Sequence, residues 1–488
     1  RVLLPRQQTL ETSILWSYEL LDPTEQRLLR HLSAFAGSST LDAIEAVCAD
    51  GDLDVSKVLD TLDRLLDHSL VQVVDGDQHR YLLLETVRQF AARVTTSEER
   101  NALAARHATH FTAVAHDIGQ LASTPALLDH VDRCLLDEPD LLKAFDWLVE
   151  HHQAQSAAAM VVALEGLLAI AGRPLTVRRM VARAATLDLA ADVRAHLTFL
   201  DATAAVTAAD FATAIARLDE VDTMTAESGD ELNAARTDGF RRILLVGMNS
   251  EHADTLDEPI ARLRAAGDHR LADRLTAGIV SLAAGRGRGE REIRARLAEA
   301  ESGVAFDDPR ASEMVRIAHI ALAVLSCDIT DVADQALAVL DRRHSFPNAS
   351  ACGMHLAMCL PLLPPTTADR AVALLEARAR LGDQWASISL DAALSAQYVL
   401  ADRHDLAWDA YSRHLGHVFV GRGSSCDAGL VAIASSGVPM HPIGNFDPTA
   451  SGWGAEAARL TGDLGNAADR CHTLLATAAT SDDRMTAL

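Results

Sequence analysis

Between residues 9 and 68 apolar side chains recur every three to four positions, the period of helices that bury one face. Two such patterns fill 9–36 and are separated by Asp22-Pro23. Asp22 suits an N-cap, Pro23 the first helical position and Glu25 the third, and Gly37 is expected to close the second helix. A short third helix is predicted over 40–49. The strongest pattern runs over 54–68 and places Val55, Val58, Leu59, Leu62, Leu65 and Leu66 on one face. Then the period changes. Segments 70–74 and 80–84 read as strands joined at Asp75-Gly76, a hairpin signal, and the pattern turns helical again after Glu85. Three helices followed by a two-stranded hairpin is the order of a winged helix.

From about Ser97 onward only helical patterns appear, with breaks at Gly and Pro. A weak fingerprint recurs at several helix starts: Asp210-Phe211-x-x-Ala214, Gly267-Asp268-x-x-x-Ala272, Gly462-Asp463-x-x-x-Ala467, and more loosely 402–407. A small residue at that offset lets the second helix of a pair pack closely on the first. The spacing is that of degenerate tetratricopeptide repeats, with an ordinary helical bundle as the alternative. Residues 421–454 break the pattern with Gly, Ser and Pro, and read as a long loop or as loops around one short helix. The fold expected is all-α with one small β-hairpin: a winged helix over 1–96, tetratricopeptide-like helical repeats over 97–420, and a loop-rich segment with a terminal repeat over 421–488.

Composition agrees. Hydrophobic residues make up 49% of the 488 and aromatic residues only 4%, so small aliphatic side chains fill the interior, which favours helices over sheets. Seven scattered cysteines lack framework spacing and read as reduced thiols in a cytoplasmic protein. The most apolar run, 157–172, is interrupted by Glu165 and is shorter than the ~20 residues a bilayer requires. The chain opens at Arg1 without a Met and reads as a fragment of a longer protein.

No catalytic constellation is legible. A Walker A motif requires Gly-Lys-Ser/Thr, and the lysines, Lys57 and Lys143, do not follow a Gly. The Gly-rich strings at 285–289 and 421–423 follow no strand and read as inter-helix loops. Cys352, His355 and Cys359 share a helix face, but their apolar surroundings favour core packing over zinc. The histidine pairs His107 with His110, His151 with His152 and His414 with His417 read as surface or hydrogen-bonded groups. No cofactor and no metal are therefore assigned to this chain.

Charge bears on the winged helix. The chain is acidic, 44 basic against 68 acidic residues, and 1–96 carries nine basic against fifteen acidic. The third long helix shows Asp54, Asp60, Asp63 and Asp67 against Lys57 and Arg64. A helix that enters the major groove ordinarily carries Arg, Lys, Asn or Gln outward. The expectation from charge alone is protein–protein packing and no direct DNA binding by this chain.

Longer strings carry a resemblance. These are Arg6-Gln7-Gln8-Thr9-Leu10, Trp16-Ser17-Tyr18-Glu19-Leu20-Leu21, Glu25-Gln26-x-Leu28-Leu29-Arg30-x-Leu32-Ser33-x-Phe35-Ala36-Gly37, Leu65-Leu66-Asp67-x-Ser69-Leu70-Val71 and Tyr81-x-Leu83-Leu84-Glu85-Thr86-Val87-Arg88-Gln89-Phe90-Ala91. They resemble the winged-helix part of signal-transduction ATPases with numerous domains (STAND), in particular the LuxR-family or AfsR-like transcriptional regulators of actinobacteria. The resemblance covers about the first 110 residues. It implies a nucleotide-binding domain upstream, with ATP or ADP bound there, and a tetratricopeptide-like sensor downstream. The wider superfamily, including NB-ARC proteins, has a Met-His-Asp motif whose His touches the nucleotide. Leu83, Leu84 and Glu85 stand at those positions, so the His is replaced by Leu84 while Glu85 keeps the acid.

The resulting expectation is a non-enzymatic sensor arm that binds an inducer or partner protein and relays this to a nucleotide-binding domain absent from the chain. The alternative is a stand-alone tetratricopeptide-like adaptor. No membrane contact is expected. Arg6, Glu85 and Arg88 are candidates to face the nucleotide-binding domain. Trp408, Tyr411, Arg413, Phe446 and Trp453 are candidate partner contacts, because aromatic and Arg side chains anchor such surfaces.

Overall fold

The computed structural model describes residues 5–413 apart from short stretches, chiefly 75–78, 248–255, 285–290, 302–308 and 343–349, and a few single positions. The first element is α1 (Pro5–Glu19), followed by α2 (Pro23–Leu32). Asp22 caps α2 by accepting from the backbone of Thr24 and Glu25, and Glu25 returns the bond to the Asp22 N–H at 2.9 Å. That reciprocal box satisfies amides the helix start leaves open. Helix α3 (Leu41–Cys48) is capped by Thr40, and α4 (Val55–Asp67) by Asp54. Strands β1 (Val71–Val74) and β2 (Arg80–Leu83) pair antiparallel with Val71 opposite Leu83 and Val74 opposite Arg80. Helix α5 (Glu85–Val94) completes the winged domain, and its Phe90 packs edge-on against Tyr18 of α1. Leu28, Leu29, Ile44, Val47, Val58, Leu62 and Leu65 form the domain's buried centre.

Two local expectations change, and a third feature is new. Helix α2 stops at Leu32, well short of Gly37, because the Ser33 hydroxyl takes the Arg30 carbonyl and the chain then turns away. On α4, Val55 and Leu59 face solvent while Val58, Leu62 and Leu65 face inward, so the apolar stripe is wider than the core it serves. Glu85 lies in the first turn of α5 without capping it; the cap position is Leu84, which makes no side-chain bond.

Beyond the winged domain the described elements are helices: α6 (Ser97–Leu121), α7 (Leu127–Leu135), α8 (Glu138–Glu150), α9 (Ala154–Ile170) and α10 (Pro174–Ala184). Then come α11 (Ala191–Thr207), α12 (Phe211–Ser228), α13 (Glu231–Gly247), α14 (Asp257–Ala265) and α15 (His269–Ala284). The last are α16 (Pro309–Leu325), α17 (Ile329–Leu340), α18 (Cys352–Cys359), α19 (Pro365–Arg380) and α20 (Gln384–Leu400). Among the described residues no helix is long and apolar enough to cross a membrane.

Two compact units divide the chain. The first gathers Arg1–Ala122, Asp129–Leu167 and Arg179–Leu189. In it α6 packs on α3 and α8, and Gly119 of α6 approaches Ala163 of α9 so closely that a Cβ would lie 3.0 Å from the alanine's. The second unit gathers Ser123–Leu128, Leu168–Arg178 and Ala190–Leu488. Its strongest helix pairs are α11 with α12 and α15 with α16.

The fingerprint at the helix starts has a physical basis here. Asp210 caps α12 through the Thr213 N–H, and Asp268 accepts from Leu271 at the start of α15. The alanines four residues on, Ala214 and Ala272, are fully buried at helix contacts. Each capping carboxylate also takes an arginine 32 residues upstream, Arg178 to Asp210 at 3.2 Å and Arg236 to Asp268 at 2.7 Å. Gly267 has φ +87°, the left-handed turn that ends α14 and starts this cap. The copy at 462–467 lies outside the described residues. Cys352 and Cys359 are buried in one apolar cluster with Leu356, Leu360 and Leu375.

Candidate functional site

The loop over 33–40, between α2 and α3, is where the winged domain meets the helices that follow it. Lys143 of α8 donates its ammonium to the Ala34 carbonyl at 2.6 Å. Asp140, fully buried on the same helix, accepts the backbone N–H of Ala36 at 2.6 Å and of Gly37 at 3.1 Å. His107 of α6 lies 2.8 Å from the same carboxylate and packs against Phe111. Arg80, buried at the start of β2, bonds Ser38 and reaches Asp137. A short loop is thus held by an ammonium, a carboxylate and a guanidinium. Burying charge in this way is tolerated only when each charged group is paired.

A second fastening joins α6 to α2 and α3. Glu99 pairs with Arg30 and lies 3.0 Å from His31, whose other ring nitrogen lies 2.7 Å from the Cys48 carbonyl. Arg106 bonds the Val47 carbonyl and Asp50. Burial pushes the His31 pKa down, outweighing the upward pull of the Cys48 carbonyl and of the Asp50 and Glu99 charges. Burial pulls Glu99 up, but its hydrogen bonds and charge contacts with Arg30 and His31 carry it below the ordinary glutamate value. The pKa of Lys143 is lowered by burial, against the raising effect of Asp140.

Beside the loop lies a cavity of about 250 Å³ lined by Leu32, Phe35, Ala36, Gly37, Ser39, Val71 and residues 81–85 with Arg88. Two of the three residues expected to face a nucleotide-binding domain meet at this cavity. Arg88 grips Glu85 with two nitrogens at 2.7–2.9 Å, and Gln89 adds a bond at 2.6 Å. The hydrogen bond from Arg88 is the main reason the Glu85 carboxyl sits below its usual range. Arg6 belongs to α1, and its side chain lies outside those the structure describes. Of the candidate partner contacts, Arg413 bonds Asp391 at 2.9 Å. Trp408, Tyr411, Phe446 and Trp453 lie outside the described residues.

Sequence reasoning missed Asp140, Lys143, Arg80 and His31. One signal for Lys143 was present: in a chain whose cations are nearly all Arg, a lysine suggests a place where a compact ammonium fits and a guanidinium does not. Asp140 stood in Glu138-Pro139-Asp140, which reads as a helix start and conceals the long-range partner.

The domain is a helix-turn-helix of the winged class, and the family model described as "Winged helix-turn-helix domain" matches residues 21–96. The chain is 40% identical over 164 residues to a putative HTH-type transcriptional regulator of Mycobacterium bovis, and equally to one of Mycobacterium tuberculosis, covering 33% of this chain and 18% of theirs. It is 38% identical over 108 residues to an uncharacterized protein of Mycobacterium tuberculosis, covering 21% of this chain and 27% of that one. The chain thus spans about a fifth of the first relatives it matches. A crystal structure of a STAND protein with a tetratricopeptide repeat sensor from Pyrococcus horikoshii overlaps 82% of this chain and 65% of its own, at 13% identity and a TM-score of 0.37. That overlap is too loose to transfer its domain order.

These matches overturn the expectation that the chain makes no direct DNA contact: a winged helix-turn-helix domain shared with transcriptional regulators points to DNA binding. A net count over 1–96 does not show where the charges lie or which of them have local partners. Asp22, Glu25 and Asp54 are used as helix caps, Asp50 by Arg27 and Arg106, and Glu85 by Arg88. On α4, Lys57 and Arg64 are exposed together with Asp60, Asp63 and Asp67.

Proposed function

We propose that this chain is the winged-helix and helical-repeat arm of a STAND-type, ATP-dependent transcriptional regulator of the LuxR-family or AfsR-like group. The helical repeats take up an inducer or a partner protein. The winged domain meets duplex DNA and relays the inducer event to a nucleotide-binding domain outside this chain. Glu85 and Arg88 face that domain, and Trp408, Tyr411, Arg413, Phe446 and Trp453 contribute to the partner surface.

The observation that supports the relay is the grip of α8 on the 33–40 loop. Lys143 and Asp140 hold backbone atoms of the winged domain from a helix outside it. A displacement of α8 by one hydrogen-bond length therefore moves or releases the loop between two winged-domain helices. Packed, hydrogen-bonded elements of this kind switch between discrete arrangements and do not deform gradually. The test is Lys143→Gln in the complete protein, with reporter transcription as the readout. Output is expected to change about threefold or more at unchanged protein level. Unchanged output with a normal melting temperature refutes the relay.

A further inference from the structure

The cavity beside the 33–40 loop has the makings of a ligand site. Leu32, Phe35, Val71 and Leu83 give it apolar, buried walls. Ser39 is one of its lining residues, and its hydroxyl is a polar group the fold leaves unused: it is buried, and no described residue hydrogen-bonds it. Its position is fixed, because the Ser39 backbone is bonded in both directions to Tyr81, at 2.9 and 2.8 Å. A buried hydroxyl without a partner costs free energy, and such groups are rare unless something else fills the bond. Arg88 also belongs to the lining. Its present partner, Glu85, is itself well exposed, so Glu85 can yield the guanidinium and return to water.

We propose that this cavity binds a small amphipathic acid: one ring or short aliphatic body, a carboxylate for Arg88, and a second polar group for Ser39. The size sets the upper limit. An apolar cavity of ~150 Å³ accommodates benzene, and drug-sized ligands take ~300–1,000 Å³. At about 250 Å³ this one suits a single ring with substituents and is too small for a nucleotide. A carboxylate gains a charge-assisted, two-nitrogen contact with Arg88, which is stronger than a neutral one. Phe35, Ala36 and Gly37 line the cavity, and Ala36 and Gly37 are also the residues whose amides Asp140 holds. A filled cavity therefore stiffens the same loop that α8 grips. The inference shares Arg88 with the regulatory reading, but its calorimetric test reads occupancy and can fail or succeed independently of reporter output.

The probe is 4-hydroxyphenylacetate, titrated into the 488-residue chain by calorimetry, with hydrogen exchange to locate it. A Kd of about 1 mM is expected for so small a ligand. Phenylacetate lacks the ring hydroxyl and 4-hydroxybenzyl alcohol lacks the carboxylate, and each should bind several-fold more weakly. Ser39→Ala should abolish the advantage of the hydroxyl, and Arg88→Gln the advantage of the carboxylate, with no loss of melting temperature in either variant. Exchange should slow in residues 32–39 and 81–88. No binding at about 10 mM overturns the proposal. So does binding that neither variant alters, protection that maps elsewhere, or displacement of the probe by equimolar ATP.

Discussion

Asp140 and His107 form a buried pair, with the imidazole Nε2 2.8 Å from the carboxylate and both side chains closed to solvent. The same carboxylate oxygen also takes the Ala36 N–H, so one buried atom joins α6, α8 and a loop of the winged domain.

Removal of that carboxylate should be costly. Asp140→Ala leaves the amides of Ala36 and Gly37 and the ring of His107 without their acceptor. Each unpaired buried donor costs about 1–3 kcal/mol, and loss of one partner of a buried charged contact costs about 3–5 kcal/mol. Urea unfolding should show a loss of about 3 kcal/mol or more. A loss below 1 kcal/mol would mean that the loop re-forms its bonds with water.

Acid should loosen the fastening between α2 and α6. The fold holds His31 below its usual pKa of 6.5, so it favours the neutral ring. That contribution is present above pH 6.5 and is lost as pH falls below it. Glu99 is held below its usual 4.5, so its contribution is present above 4.5 and is lost as pH falls through the folded value. Urea midpoints should therefore decline in two stages, and His31→Gln should remove the upper stage and reduce the lower one, since His31 contributes to the Glu99 shift. A midpoint that rises on acidification would reverse the assignment.

Helix α4 should carry the DNA contact. Lys57 and Arg64 lie on its exposed face, although Arg64 also reaches Asp22 at 3.3 Å. Lys57→Ala and Arg64→Ala should each weaken duplex binding in a gel shift and lower the salt slope by about 0.9 per lost phosphate contact. Equal affinity and slope in both variants would move the contact off α4.

Close helix packing at Gly119 should resist even one added methyl. Its Cβ would lie 3.0 Å from the Cβ and 3.1 Å from the Cα of Ala163, and a backbone atom cannot rotate aside. Gly119→Ala should lower stability by about 1–2 kcal/mol despite the better helix propensity of alanine. Gly239→Ala meets the flexible end of Leu275 at 2.6 Å and should be the milder change. Thermal unfolding of the two variants side by side decides this.

What the amino-acid order determined by itself is local. The box of Asp22 and Glu25, the caps at Asp54, Asp210 and Asp268, and the switch from helical to strand period all depend on residues within four positions of one another. Such features are legible because a helix start must satisfy its own amides wherever the helix ends up. The direction of α4 was not legible: six apolar residues suggested one buried stripe, and only packing against α2 and β1 left Val55 and Leu59 in water. Glu85 and Arg88 were singled out in the sequence as candidates to face another domain, whereas neither their ion pair nor the cavity beside them was read there. The fastening of the 33–40 loop was the least legible feature. Asp140 is 104 residues from Ala36, Arg80 is 57 from Asp137 and His31 is 68 from Glu99. No spacing rule connects such distant residues. They meet because the tertiary fold buries the groups together, and a buried charge must then take whatever donor or acceptor the neighbouring helix supplies.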